Sequence, residues 1–182
     1  FVERPIYEKF KTAFVEKVSR MKVGNPADDT TKMGAIVSQS HMEKVLSYVD
    51  LAKDEGGTVL TGGNQALVDG ECAEGWFIHP TIIEGLSFDC RTNQEEIFGP
   101  VVTIMPFDTE EEVLMMANST KYGLASTVWT QNLKKAHRMA RDLHAGIVWI
   151  NCWLLRDLRT PFGGVKQSGV GREGGFEALE FF

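Results

Sequence analysis

The sequence predicts an α/β fold, a mostly parallel sheet with flanking helices, and two observations carry that expectation. Apolar segments of four to eight residues alternate with amphipathic stretches of roughly helical length (about 10 to 15 residues). Turn chemistry falls between them, as at Val23-Gly24-Asn25-Pro26-Ala27-Asp28-Asp29 and Gly56-Gly57.

Taken in order, Pro5 suits the first turn of a helix, where its missing N–H costs nothing, and Ile6, Phe10, Phe14 and Val18 follow at helical spacing. Ser40 with Glu43 has the pattern of a capping box for a second helix carrying Val45, Leu46 and Val49. Gly56-Gly57 ends that helix, and Thr58-Val59-Leu60 begins a strand. Residues 61–75 are loop-like. Strand character returns at Trp76–Ile83 and at Val101–Phe107. Thr109 with Glu112 is a second capping box, and Glu110-Glu111-Glu112 places acid in a first helical turn, where the macrodipole favours it. The helix continues through Val113, Met116 and Ala117. Leu124–Trp129 alternates as a strand, residues 132–143 have helical character, and Ile147–Ile150 is a short apolar strand. Asn151–Gly175 is glycine-rich and aperiodic, and so long an irregular stretch in a domain is usually functional. Met115, Met116 and Met139 suit core filling.

The whole chain of 182 residues is of single-domain length. Its formal charge of −6 provides no basic footprint for nucleic acid or an anionic membrane. No apolar run approaches the roughly 20 residues of a membrane-spanning helix. Cys72, Cys90 and Cys152 are odd in number and widely spaced, which suits reduced thiols in a cytoplasmic protein better than a disulfide framework. His41, His79, His137 and His144 have no metal-ligand spacing and suit surface or packing roles, so no metal is expected. The chain opens on Phe1 and stops on Phe181-Phe182 inside a helical pattern, ends that have the look of cuts.

Three motifs carry chemistry. In Glu95-Glu96-Ile97-Phe98-Gly99-Pro100, a carboxylate suits a ribose diol and the adjacent aromatic suits a flat ring, while Pro100 biases Gly99 towards extended backbone. Asn118-Ser119-Thr120-Lys121-Tyr122-Gly123-Leu124-Ala125 links a helix to a strand and by itself is ordinary loop chemistry. Pro161-Phe162-Gly163-Gly164-Val165-Lys166-Gln167-Ser168-Gly169-Val170-Gly171-Arg172-Glu173-Gly174 has the glycine content to press backbone against another surface. It lacks the strand-led pattern of a phosphate loop.

In order and spacing these three motifs resemble the aldehyde dehydrogenase family, over essentially the whole chain. The resemblance implies that residues 1–182 are the C-terminal part of the family's catalytic domain. It further implies that Glu96 holds the nicotinamide ribose hydroxyls of NAD, that Phe98 packs near the nicotinamide with Leu124 by the ring, and that Phe162 lines the aldehyde pocket. The family's nucleophilic cysteine stands in a Gly-Gln-x-Cys segment, a context that none of Cys72, Cys90 and Cys152 shares. The implied nucleophile, its glutamate base and the oxyanion asparagine are therefore expected upstream, on a preceding part of the same polypeptide, and no catalytic residue is assigned here. The chain alone is expected to be inactive, and the intact enzyme to be a homodimer or homotetramer.

Asn151-Cys152-Trp153-Leu154-Leu155-Arg156-Asp157-Leu158-Arg159 lies where the family builds its substrate tunnel and is similar to members acting on muconate semialdehydes. A guanidinium grips a carboxylate through parallel hydrogen bonds. Arg156, and secondarily Arg159, are the expected anchors for the substrate's distal carboxylate, unless they pair with Asp157 or nearby acids. The implied substrate is 2-aminomuconate 6-semialdehyde, with the 2-hydroxy analogue as its rival. Other semialdehyde specificities, and a non-catalytic half-domain with a binding or structural role, are the remaining alternatives.

Overall fold

The computed structural model describes residues 1–181. It divides into two compact units, Phe1–Asp108 and Thr109–Phe182. Phe182, the last residue of the terminal helical pattern, lies outside the described residues.

The first unit runs β1 (Val2–Glu3), α1 (Arg4–Ser19), α2 (Gln39–Asp54), β2 (Thr58–Thr61) and β3 (Gln65–Ala66). A 3-10 turn at Gly70–Cys72 is followed by β4 (Phe77–Ile78), β5 (Thr81–Glu84), α3 (Arg91–Gln94), β6 (Val101–Ile104) and β7 (Pro106–Phe107). Strand β5 is central in a three-stranded sheet, antiparallel to β2 and parallel to β6. Two shorter pairs, parallel β1–β7 and antiparallel β3–β4, complete the unit. The expected strand at Trp76–Ile83 is divided between β4 and β5, with Pro80 in the gap.

Alternation along β5 decides which helix packs where. Ile82 clusters with Val2, Tyr7 and Ile104, against Phe14, Val15 and Val18 of α1. Ile83, its neighbour and so on the opposite face, clusters with Ala52 of α2 and with Leu86. Nearer the start of α2, Met42 and Val45 pack on Ile78, with Ile97 and Val101 against them. The apolar line expected on α1 is corrected at its start. Tyr7 is the buried residue there, whereas Ile6 is 53% and Phe10 41% exposed. The N-cap of α2 is also two residues earlier than expected: the Ser38 hydroxyl accepts the His41 amide, and Ser40 lies inside the helix.

The second unit runs α4 (Glu110–Asn118), β8 (Tyr122–Gly123), β9 (Ala125–Val128), α5 (Leu133–Asp142), β10 (Ile147–Ile150), β11 (Val165–Lys166) and α6 (Gly175–Phe181). Strands β9 and β10 pair in parallel through the α5 crossover, and β8 pairs antiparallel with β11. The longest ladders of the molecule, β5–β6 and β9–β10, are thus parallel, as the α/β reading requires. Thr109 caps α4 by accepting the Glu112 amide at 3.1 Å, and Asn132 caps α5 by accepting that of Lys135 at 3.0 Å. Val113 and Met116 of α4 and Ala136 and Met139 of α5 are buried, and Arg138 grips Glu110 through two nitrogens. Met115 is exposed, so it is not core filler.

Candidate functional site

In the first unit the segment Glu95–Pro100 leads from α3 into β6. The backbone of Phe98 adopts φ +60°, a left-handed conformation that costs a non-glycine residue about 1–2 kcal/mol. The residue is 74% exposed. Gly99 is pressed on α2 so closely that an added Cβ would stand 2.5 Å from Val45 Cγ2, and a side chain there is excluded. Glu96 is exposed, and its carboxylate has no hydrogen-bond or ion-pair partner among the described residues. The neighbouring Glu95 is instead consumed by structure, accepting from Tyr48 Oη at 2.6 Å and from Arg91 Nε at 2.8 Å. Of the two adjacent acids, Glu96 is the one available to a ligand.

In the second unit, the two motifs that read separately in the sequence are one piece of structure. The pairing of β8 with β11 sets Tyr122 opposite Lys166. The Lys166 ammonium donates to the carbonyls of Asn118 and Thr120 at 3.0 and 2.9 Å, and the Gly123 amide donates to Ser168 Oγ at 3.0 Å. Arg172 closes the glycine-rich loop on itself through the Gly164 and Gly171 carbonyls. Gly146 permits the loop to lie against the start of β10, since an added Cβ would stand 1.8 Å from the Gly163 carbonyl oxygen. The result is a cavity of about 260 Å³ whose wall includes Leu124, Phe162, Ser168, Arg172 and Glu173. Leu124, expected by the nicotinamide ring, and Phe162, expected in the aldehyde pocket, both line this cavity.

The stretch after β10 is built rather than loose. Trp149 Nε1 donates to the Leu155 carbonyl at 2.9 Å, Trp149 and Trp153 meet edge to face, and Asn151 bridges Thr130 through both side-chain atoms. Arg156 lies over the Phe162 ring, its Cζ 4.2 Å from the centroid, and donates from Nη2 to Glu173 Oε2 at 3.0 Å. Its side chain is only 29% exposed. Arg159 behaves differently. Its side chain is 90% exposed and bonds Asp157, two residues away, which holds that carboxyl below the ordinary range. The sequence alternative of pairing with nearby acids is adopted by both arginines, Arg159 with Asp157 and Arg156 with Glu173, and Arg156 differs in also contacting Phe162, which with Glu173 lines the cavity.

The three cysteines are free thiols. Burial pushes the Cys90 thiol up, the reverse of what an activated nucleophile needs. Among the described residues no group of His, Cys, Asp and Glu is arranged to hold a metal ion. None of their helices is long and apolar enough to cross a membrane. Sequence reasoning missed the contribution of α2 to the first arm of the site. His41, Lys44 and Tyr48 each bond the Glu95–Phe98 segment, and the only available signal was their spacing along one helix face.

The motifs, their joined geometry and the α/β layers define a class: the chain belongs to the aldehyde dehydrogenase family, which it matches over residues 1–182. Within that family it is 50% identical to a 2-aminomuconic 6-semialdehyde dehydrogenase of Pseudomonas sp over 182 residues, 100% of this chain and 37% of that protein. It is equally identical, over the same shares, to a 2-hydroxymuconic semialdehyde dehydrogenase of Pseudomonas sp. strain CF600. The NAD+ complex of an aldehyde dehydrogenase from Bacillus cereus superposes with a TM-score of 0.92 at 46% identity, covering 99% of this chain and 36% of that one. The chain thus spans little more than a third of the length of the curated relatives it matches.

Proposed function

We propose that this chain is the downstream part of the catalytic domain of a longer NAD-dependent dehydrogenase that oxidises a carboxylate-bearing semialdehyde to the acid. 2-Aminomuconate 6-semialdehyde is the first candidate substrate and 2-hydroxymuconate semialdehyde the second; the relatives named for them are equally identical to the chain. The observation that carries the substrate class is Arg156, a partly covered side chain stacked on Phe162, which lines the cavity. Glu173 takes one of its N–H groups, and a guanidinium has five. The remaining edge matches a second carboxylate, and Glu173 holds the planar group in place for it. Arg159, spent on Asp157, has at most a secondary part.

Bound NAD supplies the hydride acceptor. In this reading the Glu96 carboxylate, unpartnered among the described residues, suits the nicotinamide ribose hydroxyls, the exposed Phe98 suits the face of the nicotinamide, and Leu124 is a candidate apolar contact for the ring. Phe162 and Arg156 orient the aldehyde by its apolar body and distal charge. Holding reactants in a near-attack geometry removes much of the entropic barrier, with effective molarities up to about 10⁵–10⁸ M in well-oriented reactions. The nucleophilic cysteine that forms the thioester, the glutamate base and the oxyanion asparagine belong, in this reading, to the upstream part of the polypeptide. The intact enzyme is read as a cytoplasmic homodimer or homotetramer, in keeping with free thiols.

A substrate panel on the full-length enzyme tests the proposal. Both muconate semialdehydes should exceed uncharged and cationic aldehydes in kcat/KM, and NAD should support turnover. A flat profile across the panel, or a preference for uncharged aldehydes, contradicts the carboxylate-bearing substrate class.

A further inference from the structure

Between the end of β10 and Arg156 the chain passes through two left-handed non-glycine residues, Asn151 at φ +52° and Leu154 at φ +56°. Asparagine tolerates that region; leucine rarely holds it without outside support. The support comes from the strands behind. Asn151 exchanges bonds with the Thr130 backbone through both side-chain atoms, each at 2.8 Å. Thr127 of β9 donates from Oγ1 to the Cys152 carbonyl at 2.9 Å. Trp149 of β10 donates from Nε1 to the Leu155 carbonyl at 2.9 Å, and its ring meets that of Trp153 edge to face, 5.1 Å between centroids. Thr127 and Trp149 are opposite one another in the parallel register of β9 and β10, and so share one face of the pair. Trp149 is buried in that setting, whereas Trp153, Leu154 and Leu155 are exposed.

We infer that Trp149 is a positioning residue for substrate selection, assisted by Thr127, and that it acts through the Leu155 peptide on Arg156 without touching substrate. The inference rests on the reading of Arg156 as the carboxylate anchor. The Leu155 carbonyl and the Arg156 amide belong to one planar peptide, so a bond to that carbonyl fixes the point from which the Arg156 side chain sets out. The far end of the side chain is held separately. Phe162 and Glu173, which take its guanidinium by face and by edge, are joined to each other by two backbone hydrogen bonds of 2.8 and 2.7 Å. Without the indole N–H, Leu154 relaxes out of the left-handed region, the next peptide turns, and the guanidinium stands beside Phe162 in a smaller fraction of molecules. Affinity for a carboxylate falls with that fraction, while the aldehyde end of the substrate is not addressed by it. The consequence is a loss of selectivity.

The test uses the full-length enzyme with Trp149→Phe, which keeps an aromatic ring and removes the donor, and Thr127→Val, which removes the hydroxyl at nearly equal volume. Each is made in the parent and in an Arg156→Ala background. The readouts are KM and kcat for a muconate semialdehyde and for a small uncharged aldehyde. Trp149→Phe is expected to raise KM for the muconate semialdehyde about fivefold without a matching fall in kcat, and to lower the preference over the uncharged aldehyde by the same factor. Thr127→Val should shift both in the same direction by less. In the Arg156→Ala background neither change should lower the preference further, because the group they place is gone. If Arg156→Ala itself keeps the parent's preference, the anchor reading fails. If Arg156→Ala loses the preference and Trp149→Phe keeps it, the anchor stands and the positioning role is overturned. A Trp149→Phe loss that falls equally on both aldehydes, or persists undiminished without Arg156, also overturns it, since that pattern marks a merely structural contact. Should Trp149→Phe not fold, Thr127→Val decides by the same comparisons.

Discussion

Arg156 and Phe162 form a stacked pair, the guanidinium carbon 4.2 Å from the ring centroid, and Glu173 holds the same guanidinium from its edge. The two contacts keep a long, flexible side chain in one orientation, and a flat cation so held recognises a carboxylate with little further ordering.

Replacing Arg156 by alanine in the full-length enzyme should therefore raise KM for muconate semialdehydes by tens-fold or more. A hydrogen bond to a charged group contributes about 1.5–3 kcal/mol. Small uncharged aldehydes should lose little. Arg156→Lys should recover only part of the affinity, because an ammonium neither stacks flat on Phe162 nor offers two parallel donors. Steady-state kinetics on both substrate types decides the matter, and an equal loss on both removes the anchor role.

Glu96→Gln keeps shape and removes charge from a carboxylate that no described residue engages. Its effect should fall on the hydride step more than on NAD binding, since an amide still fits the ribose but orients it less strictly. Stopped-flow NADH formation beside a direct NAD titration separates the two, and equal single-turnover rates in variant and parent contradict the assignment.

Tyr7 is a stability probe remote from the proposed chemistry. Burial, then its hydrogen bond to the Glu84 carboxylate at 2.9 Å and the charge of that group, pushes the phenol up from its ordinary value of 10.0 to about 12. The folded-state value lies above the unfolded one, so folding favours the neutral phenol. That contribution is complete below about pH 10 and disappears as pH rises through about 12. Tyr7→Phe should cost about 1–2 kcal/mol at neutral pH. The gap between parent and variant in urea unfolding should narrow across that alkaline window, and a gap independent of pH there would count against the assignment.

Gly99→Ala drives a Cβ to 2.5 Å from Val45 Cγ2 and should destabilise the protein by about 1–3 kcal/mol, the usual range for overpacking. Val45→Ala opens the space, so the double variant should be less destabilised than the two single losses added together. Strict additivity in denaturant titrations would show that Gly99 is required for something other than this contact.

Much of this architecture is legible along the chain because its causes are local. Thr109 with Glu112 marks the start of α4, since both partners of the cap lie within one turn. Ile147–Ile150 is a strand at its expected limits, and the order of the three motifs identifies the family. The local pattern is degenerate at two places. Ser38 and Ser40 are both able to cap α2, and only the path of the chain before the helix selects Ser38. Ile6 and Tyr7 both fit an apolar face, and the bond available at Glu84 helps turn Tyr7 inward.

What the sequence by itself determined, then, is membership of a family, the alternation of helix and strand, and which residues have the chemistry to meet a nicotinamide or a carboxylate. Tertiary structure alone decided how those residues are spent. It brought Lys166 to the carbonyls of Asn118 and Thr120, set α2 beneath Phe98, gave Glu95 to Tyr48 and Arg91 while leaving Glu96 open, and separated Arg156 on its ring from Arg159 on Asp157. The reason is physical: a cap or a turn depends on neighbours a few residues away, whereas the partner of a charged side chain depends on which distant backbone the strand pairing and helix packing bring within about 3 Å of it.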